Sequence, residues 1–410
     1  MLPEDTLWLP PLSPRDQKRL ASFRRKKWKW LGFSEKTLWD WLQLLGVLAI
    51  PLVLALGVLW FSAQQSQMSD AMIKNQHDTA LAISQQQRDT ARAIAEDQQR
   101  EATLNTYLDR MSELLLNQNV HDPKVRQLAR ARTVTALRSL DPFRKGVLVQ
   151  FLYESGLINN AHPVVDLTGA DLSNADLSRA TLSNANLSGA YLSGATLSGA
   201  NLSNADLTDA FLFEANVTTA NLSNANLNDA NLSDANLTAT DLTGANLIGA
   251  TLDEATLSHA YLSGAILIFT SLRDATLTDA SLMKAVLSFD YLGSANLSSA
   301  NLSSANLTGT ILTLACLSHA NLTHTNLSNT HLFAADLSSA MLTDAILTNA
   351  TLTDANLIEA NLTDADLTGA TLTGANLTDA LLRGAHIVNG QLADVRSLKG
   401  AILPDGSTHP

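Results

Sequence analysis

Between residue 165 and about residue 393 the chain repeats a unit of five residues, in which a small and a large apolar residue alternate with polar ones. Leu occupies 44 of the 46 central positions, and Ala lies two residues earlier in 38 of them. Residues two apart point to the same side of an extended chain, so Ala and Leu face inward together. A period of five fits the 3.6-residue turn of a helix badly. The pattern predicts a solenoid whose units bury their apolar side by stacking on their neighbours.

Stretches such as Ala200–Asn204 (Ala-Asn-Leu-Ser-Asn) and Ala235–Ala239 (Ala-Asn-Leu-Thr-Ala) show the repeat in its simplest form. Residues 164–410 resemble the pentapeptide-repeat family, whose motif is Ala-(Asp/Asn)-Leu-X-X. The resemblance implies a mainly β fold, a right-handed, four-sided parallel β-helix with four pentapeptides in each coil. The alternative, a disordered low-complexity segment, is disfavoured because two of every five positions are apolar.

A few positions depart from the repeat. Thr replaces the inward Ala at five of them, and we expect its hydroxyl to bond to inner backbone: Thr240, Thr270, Thr310, Thr325 and Thr330. Asp290 replaces it once, and a buried charge would be costly. We therefore expect a local bulge at Phe289–Tyr291 that turns this carboxylate outward. The register also slips by one residue between Leu392 and Leu398.

Leu44–Phe61 is a run of eighteen residues without a charged or polar side chain. This length suffices to span a bilayer, so we predict a transmembrane helix at residues 38–62. Aromatic residues at both ends fit an interfacial belt: Trp39, Trp41, Trp60 and Phe61. The alternatives are a cleaved signal peptide, disfavoured by the more than forty residues before the run, and a buried soluble helix.

Nine Lys and Arg residues lie between Arg15 and Lys36, whereas Lys74 alone lies in the twenty residues after the apolar run. Positive residues stay in the cytoplasm, so residues 1–37 are predicted to be a basic cytoplasmic segment and the repeats to lie on the far side of the membrane. The basic stretch either also lies on anionic lipid or serves only as a topology signal.

Residues 63–118 are predicted to form a helical stalk. Within it, residues 71–103 hold a second repeat, of eleven residues, which aligns Gln76 with Gln87 and Gln98. Eleven residues make three helical turns. Two interpretations remain open: weak self-association of the stalk as a coiled coil, and a lone solvated helix.

Residues 119–163 are predicted to form a helical collar. Asp122-Pro123 and Asp141-Pro142 each read as an N-cap followed by the first helical residue, which predicts helices over about 123–140 and 142–155, with Gly156 as a C-cap. A β-helix has an open edge at each end that must be covered. We expect the collar to be its N-terminal cap.

The net charge of −12 is divided unevenly. Residues 164–410 carry 23 acidic and 6 basic residues, a net charge of −17, and residues 1–163 carry +5. An acidic surface repels nucleic acid and attracts basic partners. Cys316 is the only cysteine in the chain, so an intrachain disulfide and a cysteine-based metal site are both excluded.

Four acidic residues are spaced by twenty and share the last position of their repeats, so a coil of four pentapeptides would stack them in one acidic ladder: Glu214, Asp234, Glu254 and Asp274. Such a ladder attracts cations. Functional interpretations are a weak Ca²⁺ site and a docking stripe for a basic protein, and the alternative is a solvated edge. Arg273, beside Asp274, would neutralise part of it.

Outward positions of three neighbouring coils also carry large apolar residues, which we call the apolar surface: Ile248, Ile266, Ile268, Phe269, Val286, Phe289 and Tyr291. Contiguous apolar surfaces usually mark contact sites, so this is the candidate for a protein partner or for self-association. The alternative is that these side chains are scattered singly. Tyr191 and Phe211 form a smaller stack of the same kind.

No catalytic constellation, phosphate-binding loop or metal-ligand spacing appears in the sequence. We expect no enzymatic activity and no cofactor. Residues 36–62 and 104–158 also resemble the front region of membrane-tethered pentapeptide-repeat proteins of bacteria. The sequence therefore favours a non-enzymatic, membrane-anchored protein-interaction scaffold. The alternative is a DNA mimic that inhibits or protects a DNA topoisomerase, an activity that some acidic members of the family have.

Overall fold

The fold is that of a computed structural model, which describes residues 38–117, 122–158, 163–388 and 390–410. The chain divides into two compact units, Met1–Ala93 and Ile94–Pro410. The described elements are three helices, followed by the repeats. The basic residues between Arg15 and Lys36, and the side chain of Trp41, lie outside the described part.

Helix α1 runs from Leu38 to Asn117 and continues through Pro51. Its most apolar window of eighteen residues has a mean hydropathy of 2.3, and none of that window is buried. By length and composition, α1 is the one helix among the described residues that could cross a membrane. Trp39, Trp60 and Phe61 are exposed, each by more than 60%.

Helices α2 (Pro123–Ser139) and α3 (Pro142–Glu154) begin where the two Asp-Pro pairs predict. The Asp122 carboxylate accepts a hydrogen bond from the Lys124 N–H at 2.9 Å, and that of Asp141 accepts one from the Arg144 N–H at 3.0 Å. Gly156 follows α3 with φ of 69°. Both N-caps are therefore confirmed, whereas the C-cap of α3 is Ser155 and Gly156 is the left-handed residue after it.

Within Ile94–Pro410, the end of α1 packs on α2 and α3. Met111 is fully buried there, and the Tyr107 hydroxyl lies 2.7 Å from that of Thr133. Burial raises the pKa of Tyr107 to about 12, partly offset by this hydrogen bond. The Arg144 guanidinium joins α3 to α1, because it bonds carboxylates of α1, at 2.8 and 2.9 Å, and that of its own N-cap, Asp141, at 2.6 Å.

Helix α3 lies directly against the first repeats. The Asp176 N–H donates to the Pro142 carbonyl at 2.9 Å, and the Lys145 ammonium donates to the Ser173 carbonyl at 3.0 Å. A Cβ added at Gly146 would overlap the Asp176 carbonyl oxygen. Glycine is thus required at this point by the close approach of the two backbones.

The repeats wind into a coil in which parallel bridges join residues twenty apart, from Asp171↔Tyr191 to Asp366↔His386. Each turn of the coil therefore takes up four pentapeptides. In the described residues every β contact of the repeats is an isolated bridge, so the expected β-helix is correct only in a coarser form, as a quasi-β-helix without extended strands. The reason is that a turn interrupts the extended backbone in every repeat, leaving too few residues between turns for a strand.

The backbone bonds of one repeat explain its composition. In residues 221–225, the Asn221 N–H donates to the Ala200 carbonyl, and the Leu222 and Asn224 N–H groups donate to the following coil. The Ala225 N–H closes the turn on the Leu222 carbonyl at 3.0 Å. The remaining N–H, of Ser223, donates to the Asn221 side chain at 2.9 Å. Asn or Asp before Leu thus satisfies the one backbone donor that the neighbouring coils leave over.

The turn in each repeat places its last residue in the left-handed region. This holds for every fifth residue from Gly169 to Gly384, with φ between 52° and 73°. A type II turn requires a positive φ at this position, which Gly, Asn and Asp adopt most readily. Thr219, Phe269 and Phe289 adopt it as well, although a branched or bulky side chain makes it costly.

The interior of the coil is a column of Leu side chains, which are at most 2% exposed from Leu167 to Leu382. The five Thr residues at Ala positions are fully buried, and each hydroxyl donates to an inner carbonyl. The Thr240 hydroxyl, for example, bonds the Val217 carbonyl at 2.7 Å. The expectation for these threonines is confirmed.

The expected bulge at Phe289–Tyr291 is wrong. Asp290 keeps the inward position and is fully buried. Its Oδ1 accepts from the Thr270 N–H at 2.8 Å, and its Oδ2 has no hydrogen-bond partner within the described residues. The N–H groups of Phe289 and Tyr291 keep their bonds to the adjacent coils, both at 3.0 Å, and a bulge would break them. Burial raises the pKa of Asp290 to about 9. The carboxyl is therefore protonated and neutral at neutral pH, so Asp290 can stay inside without burying a charge.

The last turn of the coil contains one additional residue. Its bridges, Asn376↔Ser397 and Leu381↔Ile402, join residues twenty-one apart, which confirms the predicted slip. The side chain of Gln391 fills the irregular turn by donating to the carbonyls of Leu367 and Ala370 at 2.8 and 2.7 Å. The chain then folds back through one antiparallel bridge, between Ile402 and Thr408.

Candidate functional site

The predicted apolar surface is assembled by the twenty-residue turn of the coil. Ile266 and Val286 are bridged, and the rings of Phe269 and Phe289 stack with centroids 5.7 Å apart and planes 24° apart. Phe269 is 61% exposed and Phe289 52%, whereas Ile248, Ile268 and Val286 are half-buried. The phenylalanines therefore form the outermost part of this surface.

Tyr291 follows Phe289 in the next repeat and is 42% exposed. The Arg273 guanidinium lies over its ring, 5.4 Å from the centroid, which is a cation–π contact. Arg273 therefore borders the apolar surface and holds Tyr291. The expected partial neutralisation of the acidic ladder by Arg273 stays a prediction.

Three further exposed or half-exposed apolar residues lie in the coils beyond Tyr291, and none of them belongs to the predicted set. Ile311 is bridged to Tyr291, and the Leu314 N–H donates to the Phe333 carbonyl at 3.0 Å. Leu314 is 60% exposed and Phe333 45%. The spacing of twenty from Tyr291 was a signal for Ile311, but the other two occupy different positions of their repeats and become neighbours only through the coil.

The acidic ladder lies along one edge of successive coils. The Glu214 N–H donates to the Ser233 carbonyl, and the Asp234 N–H to the Asp253 carbonyl, so each ladder residue is tied to the residue just before the next one. All four side chains are exposed. Within the described residues no group of three or more His, Cys, Asp or Glu side chains is arranged to hold a metal ion. The acidic ladder is therefore a charged edge whose described side chains are not arranged as ligands of a metal ion.

Other outward positions form pairs rather than sites. Tyr191 and Phe211 stack with centroids 5.0 Å apart, as expected. His259 and His324 each face an Asp one coil further on, at 3.9 and 3.6 Å, and the spacing of twenty could have predicted both pairs. The half-buried thiol of Cys316 lies 3.3 Å from the Ser318 hydroxyl.

An open groove of about 550 Å³ lies between the end of α1 and α2. Alanine and threonine side chains line much of it, together with Arg110 and Arg132. The Arg132 guanidinium donates to the Arg110 carbonyl at 3.4 Å. This lining holds no acid–base pair or nucleophile with an activating partner.

The five-residue repeat motif identifies the family to which this chain belongs. The family of pentapeptide repeats matches residues 165–288 and 291–395 in overlapping copies, which is more than half of the chain. This chain belongs to the pentapeptide-repeat family. Membership implies a right-handed quasi-β-helix, in agreement with the coil of isolated bridges. Pentapeptide-repeat proteins are typically non-enzymatic scaffolds, and a protein-interaction role fits this member.

Several solved pentapeptide-repeat proteins are similar to this one. HetL, a protein involved in heterocyst differentiation regulation in the cyanobacterium Nostoc sp. strain PCC 7120, is 30% identical over 64% of this chain and 98% of its own, with a TM-score of 0.23. QnrB1, a plasmid-mediated fluoroquinolone resistance protein, is 16% identical over 45% of this chain and 86% of its own, with a TM-score of 0.21.

A thylakoid-lumen pentapeptide-repeat protein of Arabidopsis thaliana is 25% identical over 32% of this chain and 68% of its own, with a TM-score of 0.12. None of the curated proteins compared with this pentapeptide-repeat protein matches it.

Proposed function

We propose that this protein is a non-enzymatic, membrane-anchored scaffold that displays its repeat segment to a protein partner. The observation that carries the proposal is the most apolar stretch of α1, whose window of mean hydropathy 2.3 has none of its residues buried. Exposing so many apolar side chains to water would be unfavourable, and a bilayer removes them from it. The neighbouring exposed tryptophans, Trp39 and Trp60, suit the membrane–water interface.

The charge distribution supports one orientation. The cluster of Lys and Arg residues between Arg15 and Lys36 precedes the apolar stretch, and such clusters stay in the cytoplasm. The proposed order is a basic cytoplasmic segment (1–37), a single transmembrane helix (38–62), a stalk (63–118), a collar (119–163) and the repeats (164–410), which lie on the far side.

The collar is proposed to cap a four-sided coil. Its supporting contacts are those of α3, which supplies the Pro142 carbonyl to the Asp176 N–H, and of α2, whose Arg130 guanidinium donates to the Thr168 carbonyl at 2.7 Å. These contacts satisfy polar backbone groups in the first repeats, which have no preceding coil to pair with. The cap would thus prevent edge-to-edge association of the repeats.

The proposed docking site combines the apolar surface with the adjoining part of the acidic ladder. Phe269 and Phe289 supply exposed aromatic area, and the carboxylates of Glu254 and Asp274 belong to neighbouring repeats. The partner that this arrangement suits is a protein surface with apolar side chains next to Lys or Arg. Exposed aromatic residues are typical anchors of such interfaces, and the carboxylates would steer a basic partner toward them.

Membrane topology is the experiment that tests the anchor. A reporter active on only one side of the membrane is fused after Pro410, and intact cells are treated with a membrane-impermeant thiol reagent that targets Cys316. The proposal expects far-side reporter activity and labelling of Cys316 without lysis. Reporter activity in the cytoplasm, or recovery of the protein in the soluble fraction, contradicts it.

The docking site is tested by combining Phe269→Ser with Phe289→Ser, and a matched control is Phe211→Ser, which removes an exposed ring of the Tyr191–Phe211 stack. Protein neighbours are captured by cross-linking in cells and quantified. We expect the double variant to lose at least tenfold of one captured protein, since hot-spot residues contribute about 2 kcal/mol or more. The control should retain it. Equal capture by all three proteins would remove the apolar surface as a docking site.

The charge of the repeat segment, −17, favours one alternative function, a DNA mimic that inhibits or protects a DNA topoisomerase. A strongly acidic surface can replace DNA on a basic protein, although the proposed far-side location separates the repeats from the chromosome. Binding of the detergent-solubilised chain to a topoisomerase, lost on adding competing DNA, would favour this alternative, provided that the topology experiment places the repeats in the cytoplasm.

A further inference from the structure

One face of α1 between Met68 and Ala93 carries a regular stripe that no other described element covers. It consists of apolar, Gln and Thr side chains, which we call the stalk stripe: Met68, Met72, Gln76, Thr79, Ile83, Gln87 and Thr90. Met72 is 70% exposed and Ile83 50%. The remaining stripe residues are exposed as well.

The stripe runs straight along the helix. Met72 and Ile83, Gln76 and Gln87, and Thr79 and Thr90 are each eleven residues apart. Eleven residues take up three turns at 3.67 residues per turn, which an α-helix adopts with very little unwinding. Equivalent residues therefore lie directly above one another, so a second helix can contact the stripe over its whole length without strong supercoiling.

Charge is segregated from this stripe. Helical geometry at this period places every charged or titratable side chain between Met68 and Ala93 on the opposite half of the helix: Asp70, Lys74, His77, Asp78, Arg88, Asp89 and Arg92. A helix that is solvated on all sides has no need of such a division, whereas a helix that pairs must keep charge away from the contact.

The two threonines of the stripe have their hydroxyls satisfied within the helix. The Thr79 hydroxyl donates to the Asn75 carbonyl and that of Thr90 to the Gln86 carbonyl, both at 2.7 Å. Each Thr therefore offers a methyl group to the stripe without bringing an unpaired donor into the contact. The stripe thus presents apolar groups at Met72 and Ile83, methyl groups at the threonines, and amides only at Gln76 and Gln87.

We propose that α1 pairs, parallel and in register, with α1 of a second copy of this chain through the stalk stripe. In this register Met72 and Ile83 meet their own counterparts, and each Gln amide meets an identical amide, which can both donate and accept. Polar residues at single core positions fix the register of paired helices at some cost in stability. An antiparallel pair can also place Gln76 opposite Gln87, but Met72 and Ile83 then face residues other than their own counterparts.

The proposal goes beyond the scaffold function and does not require the membrane, so it is tested on the full chain in detergent. Cys316→Ser removes the one native thiol, and three variants each add one cysteine: Met72→Cys, Ile83→Cys and, as the matched control on the opposite face, Gln85→Cys. Each protein is treated with a short bismaleimide, and the fraction of covalent dimer is measured.

We expect Met72→Cys and Ile83→Cys to form at least tenfold more dimer than Gln85→Cys. Equal cross-linking by all three overturns the stripe. Cross-linking at only one of Met72 and Ile83 indicates antiparallel pairing and overturns the register, because an antiparallel pair cannot bring both residues to their counterparts. Light scattering on the untreated chain should give the mass of two copies, and the mass of one copy overturns the proposal. Ile83→Asp should lower the dimer fraction at least tenfold, and Gln85→Asp should not.

Discussion

At the scale of single residues, an Asn or Asp side chain before Leu completes the backbone hydrogen bonding of its own repeat. The Asn201 and Asp206 Oδ1 atoms both accept the N–H of the residue two positions later, each at 3.1 Å. The role needs one acceptor and no charge, which explains why Asn and Asp alternate freely there. Where Asp is used, the bonds have a second effect: the Ser178 hydroxyl and N–H lower the pKa of Asp176.

Asp290 departs from this regular pattern, because its carboxyl is fully buried at a position that Ala normally occupies. Burial raises the pKa of its carboxyl from 3.8, the value for the unfolded chain, to about 9 in the folded protein. The folded protein therefore binds one more proton between these values, and its free energy of unfolding falls as the pH rises from about 4 to 9.

We predict that Asp290→Ala unfolds at a higher temperature than the unchanged protein at pH 8, and that the difference shrinks at pH 4. The Thr270 N–H keeps its bond to the Leu267 carbonyl at 3.0 Å, so no donor is orphaned. Thermal unfolding followed by circular dichroism at both pH values measures this. Asp290→Asn is the isosteric control, and it should lose the same pH dependence. An unchanged pH dependence in both variants would show that Asp290 does not carry the effect.

The left-handed turn position offers a second prediction for single residues. Thr219 is β-branched and has φ of 56°, a conformation that costs a non-glycine residue about 1–2 kcal/mol. Thr219→Gly should stabilise the protein by about 1 kcal/mol. Asn204→Gly, at the same φ of 56°, is the control and should gain less, since Asn tolerates this region. Chemical denaturation measures both changes, and a loss of stability in Thr219→Gly contradicts the prediction.

At the scale of elements, one of the contacts that hold the collar against the coil is a close approach of two backbones. Gly146, in the middle of α3, leaves no room for a Cβ beside the Asp176 carbonyl. An Ala would favour an isolated helix by about 1 kcal/mol. Here, however, the backbone has to move, and overpacking of this kind costs about 1–3 kcal/mol.

We therefore predict that Gly146→Ala loosens the collar. Amide hydrogen exchange should show lower protection of the Asp176 N–H, which bonds Pro142 in the intact protein. Val147→Ala, at an adjacent and 38% exposed position, is the control and should change protection little. Higher protection in Gly146→Ala would show that helix propensity outweighs the steric conflict.

At the scale of the whole molecule, the repeats behave as a quasi-one-dimensional array, because backbone bonds connect a repeat only to the coils before and after it. A deletion or insertion whose length is a multiple of five residues then preserves the order of inward and outward positions, whereas any other length breaks it.

This leads to a prediction about deletions. Removing residues 201–205 or residues 201–220 should leave a cooperatively folded protein of similar thermal stability. Removing residues 201–203 should lower the unfolding temperature and expose the junction to protease. The first deletion also moves every later position by a quarter of a turn of the coil, so the apolar surface changes its position relative to the collar. A severe loss of stability on deleting five residues would show that the four positions in a coil are not equivalent.

The sequence by itself determined every feature that depends on the chain neighbours of a residue. These include the five-residue period, the inward Leu and Ala, the two Asp-Pro N-caps and the slip after Leu392, because each follows from side-chain size, backbone preference or spacing. The stacking of Phe269 on Phe289 was also predictable, once a coil of twenty residues was assumed. The physical reason is that in a solenoid the nearest neighbours in space are set by the period.

The tertiary structure decided the points where two requirements compete. Asp290 remains inside because bonds to both adjacent coils hold its backbone, so its carboxyl changes protonation instead of position. Arg273 contacts Tyr291 rather than Asp274 because the next coil places the ring beneath it. Leu314 and Phe333 become neighbours only through the bond between their coils. In each case the outcome depends on the free energy of contacts between repeats that are distant in sequence. That free energy cannot be derived from the spacing of residues along the chain.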